Sequence, residues 1–357
     1  MRAVRRISGH RRVLLTVAGA VVLVVLAVVL IGKATSYAKL ADSVRGADWR
    51  WVPVCIAGEL LAYAGYILAY RDVARVDGGP TLGYGVISRV VATGFGAFVL
   101  TAAGGPAVDF WALRRAGLGR NEAVVRVLAL NTLKFGVFGV GAALAAVALL
   151  AGAGDGAPLA LTLPWIAVVS ICVALGVWLS GPGLGSRLAA PPDHEHAQCG
   201  LHVFEHCLRY LAREGLHDAV RGVIYVRHLL ARPLRYPAGV AGYPLYWAGD
   251  VLCLWGALRA FGGHVGLAAL VLAYATGYAI TILPLPAGGT GGVEAATTYA
   301  LHMLGVPLAP ALVGVVLYRV VNFWLPILPA AAVLPTLRRL EGQLRADAGV
   351  VEPAPVV

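Results

Sequence analysis

The sequence predicts an all-α protein of the polytopic membrane class, a helical bundle of about six full spans plus two broken or re-entrant elements rich in Gly and Pro. Hydrophobic residues make up 59% of the 357 residues and charged residues only 13%, whereas a soluble domain carries about a quarter charged residues. Long apolar segments recur along the chain, and most Arg residues lie between them. Water is therefore not the main solvent of this chain.

The first apolar segment, residues 13–32, contains 20 positions without a charge. A helix of that length crosses a hydrocarbon core of about 30 Å. Five Arg residues precede it, as in a signal peptide, but the apolar region of a signal peptide is only about 7–15 residues long. We therefore predict a retained first span, followed by an amphipathic stretch over residues 33–50 that lies at the interface.

Seven further apolar segments follow the first one. They cover approximately residues 51–70, 81–103, 127–150, 163–180, 239–261, 265–284 and 308–334. The prediction is a single integral membrane domain over 1–340, whose halves, 1–180 and 238–340, are joined by a cytoplasmic amphipathic stretch over 181–237. No convincing sequence repeat relates the halves. The tail, 341–357, ends in Glu-Pro-Ala-Pro-Val-Val and is predicted to be disordered.

The placement of Arg residues shows that not every apolar segment is a plain crossing. With the N-terminus inside, eight crossings put the Arg-rich stretch 181–237 outside and 151–162, which has no Lys or Arg, inside. Both placements oppose the positive-inside rule. Both are corrected if segment 81–103 enters the membrane and returns to the cytoplasmic side. We therefore predict a first broken segment, marked by the run Thr101-Ala-Ala-Gly-Gly-Pro106.

A second broken segment is predicted near the C-terminus. Arg338 and Arg339 favour a cytoplasmic C-terminus, which requires an even number of crossings between 265 and 307. The run from Leu283 to Glu294 is rich in Pro and Gly and is a poor continuous helix. Paired broken segments in two halves are typical of a transport site, although Gly-rich surface loops are the alternative. Both termini of this multi-pass cell-membrane protein are then cytoplasmic.

Six ionisable residues are candidates for positions at membrane depth, where each costs about 2.5–3.5 kcal/mol on insertion scales. They are Glu59, Arg89, Lys134, Asp250, Glu294 and Arg319. Glu294 follows four glycines, so it either caps a helix that begins near Gly292 or forms an ion pair with Arg319. Arg319 shares a helix face with Asn322, and its guanidinium also suits a lipid phosphate.

The other ionisable residues divide into two groups. Glu59 and Lys134 are expected to pair with each other, and Asp250, which follows three aromatic residues, either joins an ion pair or lines a cavity. Arg89 lies near the middle of the first broken segment and is the better candidate for a functional role. The sequence alone does not choose between these partners.

Several function classes are disfavoured by the residues. The net charge of +11 comes from Arg clusters between apolar segments, without a nucleic-acid-binding motif, so nucleic acid is not an expected partner. Five irregularly spaced cysteines favour reduced thiols. The stretch 194–207 holds His and Cys residues but no fixed zinc spacing, and an amphipathic helix explains more of it. No catalytic motif, cofactor or metal site is predicted.

Three groups of residues resemble the flippase-like membrane domain of lysylphosphatidylglycerol synthases and their stand-alone relatives. They are the run from Leu285 to Glu294, Leu304-Gly-Val-Pro307 with Tyr318-Arg319 and Phe323-Trp-Leu-Pro326, and Gly104-Gly105-Pro106 with Trp111-Ala-Leu-Arg-Arg-Ala-Gly117. The resemblance covers most of residues 10–340. Asn131-Thr-Leu-Lys134 stands where members often carry an acidic–basic pair, and no soluble synthase domain follows the membrane domain in this chain.

The resemblance implies a lipid translocase that moves a phospholipid or polyprenyl-phosphate-linked headgroup across the membrane. The substrate-binding residues then expected are Arg89, Gly104, Gly105, Asp109, Gly288, Gly289, Gly291, Gly292, Glu294, Arg319 and Asn322. The expected partner is an anionic membrane lipid or lipid-linked substrate, with a homo-oligomer or a cell-envelope enzyme as a further partner. The alternatives are a membrane-embedded transferase that uses Asp109 with Glu294, and a non-transporting envelope scaffold.

Overall fold

The computed structural model describes residues 37–101, 103–153, 156–181, 204–282 and 289–347. Its helices are α1 (Tyr37–Arg45), α2 (Val52–Arg75), α3 (Tyr84–Leu100), α4 (Gly104–Arg115), α5 (Arg120–Leu150), α6 (Leu159–Leu179), α7 (Phe204–Leu230), α8 (Pro237–Ala260), α9 (Leu267–Tyr278), α10 (Gly292–Met303), α11 (Leu308–Arg319), α12 (Ile327–Val333) and α13 (Leu337–Asp347). Short 3₁₀ turns cover Trp49–Trp51, Val76–Gly78, Ala279–Ile282 and Leu334–Thr336, and a π-helical turn covers Val320–Trp324. The predicted first span, 13–32, lies outside the described residues.

The described part of the chain is a helical membrane bundle, as predicted. Four stretches are long and apolar enough to cross a membrane, and shorter apolar helices accompany them. The four stretches are Trp49–Gly78, Arg120–Leu150, Leu159–Leu179 and Leu308–Asp347. The shorter apolar helices, Tyr84–Leu100 and Leu267–Ile282, belong to the two segments that the sequence identifies as broken.

Helices α2 and α8 form the centre of the bundle and run antiparallel in close contact. A Cβ on Gly58 would lie 2.6 Å from the backbone of both Gly249 and Cys253. Gly65 lies about two turns further along the same face of α2 and contacts Gly242 in the same way. Small residues at such positions let two backbones approach closely, which is the usual basis of helix packing in lipid. The α2–α8 pair is therefore a rigid axis around which the other helices pack.

The α2–α8 contact makes a chemical prediction. The Sγ atoms of Cys55 and Cys253 lie 2.8 Å apart and both side chains are fully buried, while a disulfide requires about 2.05 Å. In a variant that lacks the other three cysteines, membrane-permeant copper phenanthroline is expected to link the two thiols, as detected by mass spectrometry of unreduced peptides. The same treatment of a Cys253→Ser variant is the control. If the two thiols stay free while small probes reach the protein interior, the α2–α8 register is wrong.

The first broken segment forms a helical hairpin of α3 and α4. Gly104, at the start of α4, lies against the backbone of Ala97, so the chain reverses direction between α3 and α4. The open end of the hairpin lies at α13: the backbone N–H of Gly83 donates to Asp347 (2.8 Å), and Arg115 pairs with Glu341 (2.6 Å). Both ends of the hairpin therefore lie on one side of the bundle.

The second broken segment forms a similar hairpin of α9 and α10. Gly277, near the end of α9, is in close contact with Thr297 of α10. The chain after α9 continues through a 3₁₀ turn to residue 282, and residues 283–288 lie outside the described part. Each half of the bundle thus contains a long helix, a hairpin and another helix in the same order. Since α2 and α8 are antiparallel, the halves are inverted relative to each other, as in many transporters.

The polar connection between the halves includes α7, which packs on α5. Gly222 lies beside Leu128, and the hydroxyl of Tyr225 donates to the carbonyl of Val76 at 2.7 Å. The buried guanidinium of Arg126 donates to the carbonyl groups of Ala74 and Val76 at 3.2 Å each. These contacts join α5 and α7 to the C-terminal end of α2.

The predicted start of the C-terminal tail needs a correction. The prediction of disorder begins at residue 341, whereas α13 covers Leu337–Asp347. Leu340 and Leu344 are fully buried in the contact that α13 makes with the first hairpin. Burial of this apolar face stabilises the helix in spite of its many charged residues.

Candidate functional site

A large cavity lies between the two hairpins and is bounded by α5, α6 and the end of α11. Its volume is about 1610 Å³, and its lining is mostly apolar. The polar and charged lining residues include Tyr66, Asp109, Asn131, Lys134, Arg319 and Asn322. Towards α7 the lining continues to Ser180 and Arg227, where the Arg227 guanidinium donates to the Ser180 carbonyl and joins α6 to α7.

Glu294 and Arg319 form a buried ion pair across α10 and α11. The Arg319 Nε atom lies 2.9 Å from Glu294 Oε1, and the two side chains are only 5% and 2% exposed. The other carboxylate oxygen accepts from the backbone N–H of Gly291 at 2.6 Å, at the start of α10. Both predicted roles of Glu294, the helix cap and the ion pair with Arg319, are confirmed.

One nitrogen of Arg319 has no hydrogen-bond partner among the described residues. It is Nη2, which is buried, and Arg319 is one of the residues that line the cavity. The guanidinium also lies over the ring of Phe323, 4.1 Å from its centroid, which stabilises the charge without using a donor. A buried donor without an acceptor costs free energy, so the site is suited to an anion that supplies the acceptor.

Lys134 is the second cation of the cavity, and it is surrounded by aromatic rings. Its Nζ atom lies 5.3–5.8 Å from five ring centroids. These rings belong to Tyr66, Phe135, Tyr246, Trp247 and Tyr278. Within the described chain no carboxylate lies within 4 Å of Lys134, so the predicted pair with Glu59 is wrong.

Glu59 instead shares a hydrogen-bond donor with Asp250. The amide nitrogen of Asn322 lies 2.5 Å from Asp250 Oδ1 and 3.1 Å from Glu59 Oε2. The hydroxyl of Tyr274 donates to the other Asp250 oxygen at 2.6 Å. Asp250 is fully buried beside the cavity and does not line it, whereas Asn322 does. Asn322 therefore connects the cavity to a pair of buried carboxyl groups.

Asp109 reaches the cavity from the first hairpin. It is 2% exposed, and its carboxylate accepts from the Tyr66 hydroxyl at 3.1 Å. Gly105 lines the cavity next to it, while Gly104 serves the contact between α3 and α4. Asp109 and Glu294, the carboxylates considered for a transferase, bond to different partners and form no common site.

Arg89 is placed away from the cavity, which corrects its predicted role. Its guanidinium donates to the side-chain oxygen of Gln343 at 2.7 Å and so fastens α3 to α13. Arg89 is not part of the cavity lining. Its position within a broken segment was the basis of the prediction, but that position does not show which helix face the side chain occupies.

The described glycines that precede and begin α10, Gly289, Gly291 and Gly292, are not part of the cavity lining. Gly289 and Gly291 have positive φ angles of 76° and 87°, which side chains with a Cβ rarely adopt, and Gly292 is the first residue of α10. Gly288 lies outside the described residues, as do residues 194–203 of the His- and Cys-containing stretch. The cage of rings around Lys134 was missed, although aromatic residues inside four apolar segments were a visible signal.

The fold defines a polytopic helical membrane protein, and its cavity is mostly apolar with Lys134 and Arg319 among the lining residues. The model of the lysylphosphatidylglycerol synthase TM region matches residues 15–330 of the chain, and the chain belongs to this family. No curated protein matches it significantly. Membership supports a function related to membrane lipids, and it confirms the resemblance that the Gly-rich runs indicate.

Proposed function

We propose that this protein is a lipid translocase, which moves a phospholipid or a polyprenyl-phosphate-linked headgroup across the cytoplasmic membrane. The observation that carries the proposal is the pair of cations, Lys134 and Arg319, in an otherwise mostly apolar cavity. Lys134 has no carboxylate within 4 Å in the described chain, and Arg319 has an unused buried donor. A lipid phosphate supplies the acceptor oxygens that both groups need.

The apolar parts of the cavity suit the rest of the lipid. Helix α6 contributes many lining residues, and Thr162 is its one buried residue. This helix is loosely packed against the rest of the bundle. Acyl chains can therefore pass beside it and stay in contact with the surrounding bilayer. The headgroup then occupies the centre while the tails stay in lipid.

Alternating access follows from the two hairpins. We place both as re-entrant elements, the first entering from the cytoplasmic side and the second from the opposite side. The first hairpin contacts the π-helical turn after α11, where the ring centroids of Phe98 and Phe323 are 6.2 Å apart. A change in this contact would expose the central cations to one leaflet or the other, which is how inverted repeats typically operate.

The test is a scrambling and transport assay with purified full-length protein in liposomes. The probes are fluorescently labelled phosphatidylglycerol, phosphatidylcholine and a polyprenyl phosphate. We expect the wild type to move an anionic probe faster than protein-free liposomes do. The Lys134→Gln variant should be about tenfold slower or more, since a hydrogen bond to a charged group contributes about 1.5–3 kcal/mol.

The matched control is Arg71→Gln, which removes a partly exposed cation that donates to the Tyr84 hydroxyl at 2.6 Å and is not part of the cavity lining. It should transport like the wild type. The proposal fails if the wild type moves none of the three probes, or if Lys134→Gln and Arg319→Gln are both as fast as Arg71→Gln.

A further inference from the structure

The centre of the protein contains more carboxyl groups than cations. Four buried acidic residues surround the cavity: Glu59, Asp109, Asp250 and Glu294. The two cations next to them are Lys134 and Arg319, and Arg319 already pairs with Glu294. The charge of Lys134 acts on both Asp109 and Asp250, and the charge of Arg319 also acts on Asp250.

Glu59 and Asp250 accept hydrogen bonds from the same donor. A single nitrogen, Asn322 Nδ2, lies within 3.1 Å of an oxygen of each. Both residues are almost fully buried, and neither forms a salt bridge within the described chain. Two ionised carboxylates that share one neutral donor at this depth repel each other strongly and lose their hydration. One proton held by the pair removes this cost.

An anionic headgroup changes this balance. When a phosphate binds Lys134, the positive charge that Lys134 contributes to the carboxyl groups is neutralised. The ionised form of the Glu59–Asp250 pair is then less stabilised. A proton from the water on the loading side therefore binds a carboxylate oxygen of Glu59 or Asp250. Asn322 belongs to both sites, because it lines the cavity and donates to the pair.

We propose that the Glu59–Asp250 pair is a proton-binding site, and that one proton is carried with each anionic headgroup. The inference rests on the proposed translocation and adds the driving force to it: the lipid moves in the direction in which protons flow. Because the phosphodiester carries one negative charge and the proton one positive charge, the combined step moves no net charge.

Charged and titratable groups face the pair from every helix packed around it. They are Tyr274 on α9, Tyr318, Arg319 and Asn322 on α11 and the π-helical turn, Lys134 on α5, Cys253 and Tyr246 on α8, and Cys55 and Tyr63 on α2. Lys134 and Arg319 are the cations of this set, and Lys134 is the one that has no carboxylate within 4 Å in the described chain. Binding of a phosphate at Lys134 is therefore the event that shifts the proton occupancy of the pair.

The experiment uses wild-type proteoliposomes with labelled phosphatidylglycerol distributed equally between the leaflets. A difference of about one pH unit is then imposed across the membrane. With one proton per headgroup, the labelled lipid should accumulate up to about tenfold in the leaflet that faces the alkaline side. Nigericin should abolish the asymmetry, whereas a potassium diffusion potential set with valinomycin should not produce one.

Two variants locate the site: Glu59→Gln and Asp250→Asn are each expected to lose the asymmetry. Asp347→Asn, the same chemical change at the edge of the bundle, should keep it. If either variant fails to fold, proton uptake by wild-type protein in weakly buffered detergent on addition of dihexanoyl phosphatidylglycerol replaces it, with about one proton per bound lipid expected.

The outcomes separate this inference from the proposed function. Rapid lipid exchange that stays equal between leaflets at every pH difference overturns proton coupling and leaves translocation in place. An asymmetry that persists in both variants overturns the assignment to this pair. If the wild type moves no lipid, translocation fails and the coupling fails with it.

Discussion

Replacement of Glu294 by alanine is expected to lower the free energy of unfolding by about 3–5 kcal/mol, because it leaves a buried charge without its partner. Arg319 is 5% exposed on its side chain and pairs with Glu294 at 2.9 Å. The same substitution also removes the acceptor for the backbone N–H of Gly291 at the start of α10. Reversible unfolding in mixed detergent–SDS micelles, followed by tryptophan fluorescence, measures the change.

The control removes both charges together. Breaking one side of a buried pair is costly, whereas replacing both partners with apolar residues of similar size is often close to neutral. The Glu294→Leu/Arg319→Met variant should therefore recover most of the stability that Glu294→Ala loses, although it should not transport lipid. A Glu294→Ala protein that unfolds at the same SDS fraction as the wild type would show that the pair is hydrated or broken in the bilayer.

The two hairpins were predictable because their signals are local. The runs Thr101–Pro106 and Leu283–Glu294 concentrate Gly and Pro, which end helices wherever they occur. The placement of Arg residues then indicated that each broken segment returns to its own side. The Glu294–Arg319 pair was predictable for a related reason, since few partners exist for a charge at bilayer depth.

The partners of Lys134 and Glu59 were not predictable, because they depend on how distant helices pack. The rings around Lys134 come from α2, α5, α8 and α9, and nothing in the sequence shows that these helices converge on one point. Glu59 and Asp250 meet because glycines bring α2 and α8 into contact, which the sequence shows only as two Gly-containing apolar segments.

Arg89 and the C-terminal tail illustrate the opposite case, in which a signal was present and was not used. Leu337, Leu340 and Leu344 recur at helical spacing within a charged stretch, which is the pattern of an amphipathic helix. Recognition of α13 would have supplied Gln343 as a partner for Arg89. The charge on Arg89 would then have needed no ligand to explain it.

Replacement of Gly58 by alanine is expected to destabilise the bundle by an amount near the upper end of about 1–3 kcal/mol, the typical cost of overpacking. The added Cβ would lie 2.6 Å from Cys253 N and from Gly249 O. Both atoms are backbone of α8, so no side chain can move aside, and the two 24-residue helices must separate. The same unfolding measurement in mixed micelles gives the change.

Gly141→Ala is the matched control, because it is the same substitution in the interior of α5 with no atom within 4 Å of the added Cβ. Alanine is the better helix former by about 1 kcal/mol, so this variant should be as stable as the wild type or slightly more stable. The difference between the two variants isolates the contact between α2 and α8.

The same contact brings Glu59 next to Asp250, so Gly58→Ala should also weaken any effect of a pH gradient on lipid distribution. Equal stability of the two variants would mean that α2 and α8 are further apart in the bilayer, and the shared Asn322 hydrogen bonds could then not form.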